Sequence, residues 1–281
     1  MLHNSGVAGH EPGAHGGAVG DTSAQPLLIE RSGSVTTLVL NRPAQLNAID
    51  RELSLALIEA VRKVAGDDGC RCLVLTGAGR AFCSGQALGS VDDPLPSDIE
   101  GFIHERYTPL VLGLQSLPIP VVAGVNGLAA GAGLSLALAA DIRIAATSAW
   151  FSCAFAQIGL VPDSGATYFL SRYLGMGPAL HYALTGERIT AERALELGLV
   201  TKTLAPEDFH LGIDEFAHDL ARGATTALGM TKLALYSGAS AGLEDQLALE
   251  AKFQQAASET KDFHEGLAAF REKRPPHFTG N

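Results

Sequence analysis

Residues 127–140 consist almost entirely of glycine, alanine and leucine. Because no side chain in this stretch has the bulk to cover a surface, the sequence predicts a helix that packs tightly against the backbone of its neighbours. The stretch is also the longest apolar candidate in the chain. It is shorter than the roughly 18 residues that a membrane span requires, and it ends at Asp141 and Arg143. We therefore expect a protein without a membrane span, built around this helix.

The composition is that of a globular protein. The chain has 281 residues, of which 47% are hydrophobic and 18% are charged, and a chain of this length can bury about three quarters of its unfolded surface. The formal net charge is −10, so no basic field is available to hold a nucleic acid or an anionic membrane. A polyanionic ligand would have to meet a local basic spot.

The cysteine content predicts buried thiols in a reducing, cytoplasmic compartment. A chain this long with four cysteines has no disulfide framework. Cys70 and Cys72 are one residue too close for the usual pair of zinc ligands. We therefore predict no metal site.

The first 25 residues form a separate segment in our interpretation. They are rich in glycine, alanine, serine and histidine, and they lack the cationic and apolar regions of a secretory signal. Residues 1–25 are predicted to be a disordered leader. Their histidines, His3, His10 and His15, are not expected to bind metal because nothing rigid orients them.

Strand and helix patterns alternate in the first part of the chain, which predicts an α/β fold with a parallel sheet and right-handed crossovers. A long mobile loop is expected over residues 83–97, and helices alone are expected from Ser164 onward. We therefore divide the folded part into a core, residues 26–203, and a C-terminal helical region, residues 204–281. The predicted strands are residues 35–40, 71–76, 119–125 and 141–145, and the first predicted helices are residues 51–64 and 98–115.

Two glycine-rich segments each follow a predicted strand, at residues 79–85 and 125–133. Glycine lets backbone approach a ligand with its N–H groups free, and the second segment opens a helix whose first amides favour negative charge. The first segment lacks the Lys-Ser/Thr pair of a Walker loop, and the second lacks the third glycine of a dinucleotide fingerprint. The segments therefore indicate either an oxyanion site or close packing of helices.

The chain carries five motifs in sequence order: NRPxxLNA at 41–48, RAFCSG at 80–85, NG at 126–127, LTG at 184–186 and AxxxGLV at 194–200. Their order and spacing resemble the crotonase (enoyl-CoA hydratase/isomerase) superfamily over residues 26–278. The resemblance implies a spiral of ββα units with a C-terminal helical trimerisation region. It also implies an acyl-CoA substrate, no separate cofactor because coenzyme A is part of that substrate, and an oxyanion hole formed by the backbone N–H groups of Ser84 and Ala132.

The departures from the family pattern narrow the expected chemistry. The hydratases of the family have two glutamates, and the positions that match them here are Ser135 and Phe155, which we expect in the substrate pocket. Asp163 matches the position at which isomerases of the family carry an acid. Beside the apolar Phe155, the pKa of Asp163 should rise toward the range of a proton shuttle. The alternative interpretation of Asp163 is a helix N-cap or a turn aspartate.

Three further motifs are NGLAAGAG at 126–133, GLVPDSG at 159–165 and KRPPxFTG at 273–280. Within the family, they are most similar to the isomerases that act on a ring epoxide of phenylacetyl-CoA. The resemblance thus predicts an acyl-CoA isomerase of the enoyl-CoA or ring-epoxide type. The alternative is a hydratase-like protein of altered or lost activity that binds acyl-CoA. Phe270 and Lys273 match the family pair that covers the coenzyme A moiety, often from a neighbouring subunit, and the resemblance implies a homotrimer or a dimer of trimers. An ordinary amphipathic helix is the alternative interpretation of that pair.

Overall fold

The computed structural model describes residues 25–88 and 96–281. The predicted leader lies outside the described residues except for Gln25, and so does the centre of the predicted loop over residues 83–97. Within the described ranges, no helix is both long and apolar enough to cross a membrane.

A six-stranded sheet forms the main layer of the core. Its strand order is β1-β2-β3-β5-β7-β10, in which β1 pairs antiparallel with β2 and the remaining neighbours are parallel. The predicted parallel sheet is therefore confirmed, with one antiparallel edge strand that the sequence analysis did not find. The strands are β1 (Leu27–Ser32), β2 (Val35–Leu40), β3 (Cys72–Gly77), β5 (Val121–Val125), β7 (Ile142–Ala146) and β10 (Lys202–Leu204).

A second sheet of four short strands, in the order β4-β6-β8-β9, was not predicted. Its strand β6 lies inside the stretch that we expected to be one helix, because Gly131 takes a φ of +52° and separates the strand from the helix that follows. The expected helix over residues 127–140 is thus shorter, and it begins at Ala132. The elements are β4 (Ala81–Cys83), β6 (Leu128–Ala130), α4 (Ala132–Ala139), β8 (Trp150–Ser152) and β9 (Ile189–Thr190).

The helix predicted after residue 50 is present, and the one predicted after residue 98 is divided. Helix α1 (Arg51–Ala65) begins at Asp50, whose carboxylate accepts a hydrogen bond from the N–H of Leu53 at 2.9 Å. The predicted helix over residues 98–115 is two helices, α2 (Ile99–Arg106) and α3 (Thr108–Ser116). Pro109 lies in the first turn of α3, where a missing N–H is tolerated, whereas a continuous helix would have lost a hydrogen bond there.

The last third of the chain is mostly helical, but the expectation of helices alone from Ser164 onward is wrong, because the short strands β9 and β10 lie there. The first long helix after β10 belongs to the core. Helix α8 (Phe209–Ala221) packs on β2, β3 and β7 of the large sheet. The predicted division at residue 203 therefore falls within β10, and the helices that leave the sheet begin with α9. The other helices are α5 (Ala166–Leu174), α6 (Met176–Thr185), α7 (Ala191–Glu196), α9 (Thr225–Gly238), α10 (Leu243–Ser258) and α11 (Lys261–Glu272).

A buried ion pair fastens α9 to the core. The Lys232 ammonium lies 3.0 Å from the Asp141 carboxylate, and it also donates to the main-chain oxygens of Leu114 and Ile119. Asp141 in turn accepts from the N–H of Val121 at 2.7 Å. Burial raises the pKa of Asp141 and lowers the pKa of Lys232, and in each case the partner's charge opposes the shift.

Candidate active site

A cavity of about 230 Å³ is lined by residues that follow β4 and β6, by α2 with Tyr107 after it, and by the segment before α5. Most of its wall is apolar. The polar side chains of the wall are those of Ser84, Gln86, Tyr107, Gln157 and Asp163. Apolar walls with a few convergent polar groups are typical of a small-molecule site. The apolar lining includes Ile99, Phe102, Ile103, Phe155, Ile158 and Leu160.

Asp163 is the only charged side chain that lines this cavity among the described residues. It follows a short 3₁₀ helix (Ala154–Ile158) that carries Phe155, and both side chains line the same cavity, as predicted. Burial raises the pKa of Asp163 above its ordinary value, and a hydrogen bond from the Ser164 hydroxyl partly opposes the rise. The helix-cap interpretation is wrong, because α5 begins after Gly165, and no side chain caps it.

Ser135 is buried behind Asp163 rather than exposed in the cavity. Its side chain is fully inaccessible, and it is not among the described residues of the cavity wall. The predicted place of Ser135 in the substrate pocket is therefore contradicted. Its hydroxyl oxygen lies 3.0 Å from the main-chain oxygen of Asp163 and 3.3 Å from that of Gly131. Ser135 thus connects helix α4 to the turn that carries the acid.

The backbone N–H of Ser84 is already engaged. It donates to the main-chain oxygen of Leu46 at 3.0 Å. This bond contradicts the expected role of Ser84 as an oxyanion donor, because an N–H that already donates to a protein carbonyl is not free for a ligand. Ser84 does line the cavity, although its N–H does not serve it.

The N–H group of Gln86, two residues after Ser84, is oriented differently from that of Ser84. Residues 49 and 86 form a parallel bridge in which Ile49 donates to Gly85 O and accepts from Ala87 N–H, each at 2.8 Å. Because successive peptide groups of an extended segment point to opposite edges, the N–H of Gln86 faces away from Ile49. It has no acceptor among the described residues, and Gln86 lines the cavity.

Ala132 provides a second amide at the same place. It is the first residue of α4, so its N–H has no partner inside the helix, and none of the other residues that the structure describes accepts from it. A Cβ atom added to Gly85 would lie 3.3 Å from Ala132 N and 2.9 Å from Ala130 O. The two segments therefore approach each other closely at Gly85, and both Gln86 and Ala132 line the cavity.

The close-packing interpretation of the glycine segments is confirmed, and the oxyanion site stays a prediction. A Cβ atom on Gly133 would lie 2.3 Å from the main-chain oxygen of Cys83, so glycine is needed for the first turn of α4 to pack on β4. The same close packing brings the start of α4 to the strand end that carries Gln86. The packing of α4 on β4 thus also brings the amides of Gln86 and Ala132 into the same region of the structure.

The described chain does not bring Phe270 and Lys273 to this cavity. The Phe270 side chain is 83% exposed at the end of α11, and Lys273 is exposed directly after that helix. Their predicted contact with coenzyme A stays a prediction that requires a second subunit. Among the described residues, no group of three His, Cys, Asp or Glu side chains could hold a metal ion.

Gln86 and the buried Tyr107 are among the wall residues that sequence reasoning missed. The Tyr107 hydroxyl donates to the side-chain oxygen of Gln86 at 2.5 Å. The glycine before Gln86 signals close approach of the backbone, but only the pairing with Ile49 shows which amide is free.

Comparison with known proteins gives the family. The enoyl-CoA hydratase/isomerase family model matches residues 30–281. A Rhodobacter capsulatus protein named "Probable enoyl-CoA hydratase" is 45% identical over 252 residues, which is 89% of this chain and 96% of the relative. The 1,2-epoxyphenylacetyl-CoA isomerase of Escherichia coli is 45% identical over 249 residues, which is 88% of this chain and 95% of the relative.

Solved structures agree with the sequence relatives. The crystal structure of an enoyl-CoA hydratase from Bacillus anthracis has a TM-score of 0.86 and 31% identity, and the match covers 92% of this chain and 100% of that one. The fold is thus the crotonase fold, that of a class of acyl-CoA enzymes. The chain belongs to the enoyl-CoA hydratase/isomerase family.

Proposed function

We propose that the protein is an acyl-CoA isomerase in which Asp163 moves one proton between two carbons of the acyl group. The N–H groups of Gln86 and Ala132 hold the thioester oxygen during this transfer. The observation that carries the proposal is the single carboxylate in the described wall of an otherwise uncharged cavity. A hydration mechanism with two carboxylates lacks its second acid there, since the matching positions are the buried Ser135 and the apolar Phe155.

The proposed reaction has two proton transfers. In the first, a C–H bond α or γ to the thioester breaks, the proton passes to Asp163, and the electron pair enters the enolate. The amides of Gln86 and Ala132 bear the negative oxygen, and losing one such donor typically costs about 3 kcal/mol of transition-state stabilisation. In the second transfer, Asp163 returns the proton to another carbon, so the carboxylate is regenerated and the substrate keeps its composition.

The substrate is either an enoyl-CoA or a ring epoxide of phenylacetyl-CoA. The apolar wall, which contains Phe102, Tyr107 and Phe155, is compatible with a ring. The name of the Escherichia coli relative supports the second choice. The alternative function is that of a hydratase-like protein, which the name of the Rhodobacter relative favours at the same identity.

The mass of the product distinguishes these functions. We would incubate the protein with crotonyl-CoA, trans-3-hexenoyl-CoA and the ring epoxide of phenylacetyl-CoA, and then analyse the products by mass spectrometry. Isomerisation leaves the mass unchanged and moves the double bond or opens the ring, whereas hydration adds one water. A product heavier by one water, with no isomer, would contradict the proposal, and binding without turnover of any substrate would favour a protein of lost activity.

A second copy of the chain would complete the site in this proposal. In the described chain, none of the 16 residues of α10 is buried, and Leu243 and Leu247 are 76% and 55% exposed. Such uncovered apolar surface on the C-terminal helices supports assembly as a homotrimer or a dimer of trimers. Phe270 and Lys273 would then reach the coenzyme A moiety of a neighbouring subunit. Sedimentation of the wild type and of Leu247→Glu tests the assembly, and a monomeric wild type would contradict it.

A further inference from the structure

The residue after Asp163 has an unusual backbone conformation. Ser164 has a φ of +52°, and only three other non-glycine residues among those described, Leu46, Asn47 and Lys273, have a positive φ. This left-handed region disfavours a residue with a Cβ atom, whereas glycine enters it freely. Gly165 directly follows with a φ of +87°. A serine at a position that favours glycine indicates a functional role for the serine side chain.

The side chain of Ser164 makes one contact that bears on the site. Its hydroxyl donates to Oδ1 of Asp163 at 2.9 Å. No other side-chain donor to this carboxylate is present in the described part of the chain. Oδ2 has no hydrogen-bond partner among the described residues. The two oxygens of the acid are therefore not equivalent.

We infer that Ser164 is a positioning residue, which holds Oδ1 of Asp163 so that Oδ2 is the oxygen that takes and returns the proton. The inference rests on the proposed function, because it assigns roles to the two oxygens of the same acid. It gives the left-handed turn a purpose. In this conformation the Ser164 hydroxyl folds back onto the preceding carboxylate, and α5 begins directly after Gly165.

The surroundings of Asp163 leave few other groups to fulfil this role. Burial raises the pKa of the Cys153 thiol to about 11, and the negative charge of Asp163 makes a smaller contribution in the same direction. Tyr107 is the other titratable group of the described wall, and its hydroxyl donates to Gln86. Ser135, on α4, holds the main-chain oxygen of Asp163 and not the carboxylate. No Lys, Arg or His lines the described wall.

The hydroxyl also acts on the charge of the acid. A hydrogen bond donated to a carboxylate favours its charged form, so the Ser164 contact lowers the pKa of Asp163 against the rise that burial causes. Removing the hydroxyl should leave the acid protonated up to a higher pH. Asp163 must be unprotonated to accept a proton. Loss of the Ser164 hydroxyl should therefore move the acid limb of the profile of kcat/KM against pH to higher pH.

Two variants separate the hydroxyl from the backbone. Ser164→Gly and Ser164→Ala both remove the hydroxyl, but glycine relaxes the left-handed turn and alanine keeps a Cβ atom in it. We would measure kcat/KM against pH with trans-3-hexenoyl-CoA and the ring epoxide, using whichever the wild type converts. Both variants should shift the acid limb upward by about one pH unit, because a hydrogen bond to a charged group is typically worth a factor of ten or more. Both should lower kcat more than they raise KM.

The outcomes separate this inference from the proposed function. If Asp163→Asn keeps full turnover in the same assay, the proposed function fails and the inference fails with it. If Asp163→Asn loses turnover while both Ser164 variants keep the wild-type pH profile, only the inference is overturned. It is also overturned if the alanine variant shifts the profile and the glycine variant does not, because the backbone and not the hydroxyl would then be responsible.

Discussion

The Ser135 hydroxyl donates to the main-chain oxygen of Asp163 across 3.0 Å, in a place fully closed to solvent. Ser135 lies one helical turn after Ala132, whose N–H is one of the two amides at the end of the cavity. The Ser135 side chain thus links the turn that carries Asp163 to the helix that begins at Ala132. Helix α4 also packs directly on α5, and the Tyr173 hydroxyl donates to the main-chain oxygen of Leu138, so the Ser135 bond adds a contact at the turn that carries the acid.

Replacing Ser135 by alanine should affect the reaction more than the fold. The loss of one buried hydrogen bond should lower the free energy of unfolding by about 1 kcal/mol, and a misplaced acid should lower kcat by about tenfold or more. Ser54→Ala is the matched control, because Ser54 is also fully buried on a helix and donates to a main-chain oxygen at 2.9 Å, that of Arg51. Urea unfolding and steady-state kinetics measure both effects. Equal kcat losses in the two variants would refute the special role of Ser135.

Gly85→Ala should damage the amide pair. The added Cβ atom would approach Ala130 O to 2.9 Å and Ala132 N to 3.3 Å, and the φ of +103° disfavours any side chain. We expect kcat/KM to fall about 100-fold or more, as when an oxyanion donor is lost. Gly198→Ala is the control for backbone strain, since Gly198 has a φ of +74° and nothing within 4 Å of its added Cβ atom. A comparable loss of kcat/KM in the control would show that strain alone explains the result.

Asp163→Asn should stabilise the protein at neutral pH. Burial raises the pKa of Asp163 in the folded state, so the folded state binds the proton more tightly than the unfolded state does. Its contribution to stability is therefore full below the unfolded pKa of about 4, and it is lost as the pH rises through the folded pKa. The neutral amide avoids that loss. Urea unfolding at pH 7 should show a higher midpoint for Asp163→Asn and no change for Asp68→Asn, whose side chain is exposed. A lower midpoint for Asp163→Asn would contradict the expected sign.

Removing the Lys232 charge should destabilise the whole chain. Lys232→Met leaves the carboxylate of Asp141 buried without its cation, and breaking a buried pair in this way typically costs about 3–5 kcal/mol. Asp141→Asn combined with Lys232→Met should recover part of the loss. Lys252→Met, at an exposed position of α10, should change stability by less than about 0.5 kcal/mol. Urea unfolding measures all three, and a loss below about 1 kcal/mol for Lys232→Met would show that the pair does not fasten α9.

Four of the six strands of the large sheet and most helices could be predicted from the sequence, but β1, β10 and the second sheet could not. Strands β2, β3, β5 and β7 are five or six residues long and rich in β-branched and apolar residues. Strands β4, β6 and β8 have three residues each, too few to show an alternation, and they are stabilised by pairing with segments about 20 to 50 residues away. Gly131 ends β6, yet a glycine inside an apolar run does not indicate where a strand becomes a helix.

For the candidate site, the sequence indicated which acid lines the cavity, but not which amide the strand pairing leaves free. Asp163 could be recognised from its motif, and the structure places it beside Phe155 in the cavity wall. Whether the N–H of Ser84 or of Gln86 is free depends on hydrogen bonds to Leu46 and Ile49, more than 30 residues earlier in the chain. The residue types at positions 84 and 86 do not indicate which of the two N–H groups is free.

Hydrogen exchange between substrate carbon and solvent tests the central claim most directly. The acyl-CoA that the wild type converts would be incubated in deuterated water with the wild type and with Asp163→Asn, and the label would be located by mass spectrometry. We predict that the wild type incorporates deuterium at the carbon α or γ to the thioester. Asp163→Asn should incorporate it at least about 100-fold more slowly, because the group that carries the proton is gone. Deuterium incorporation at the same carbon and the same rate in Asp163→Asn would contradict the claim that this carboxylate moves the proton.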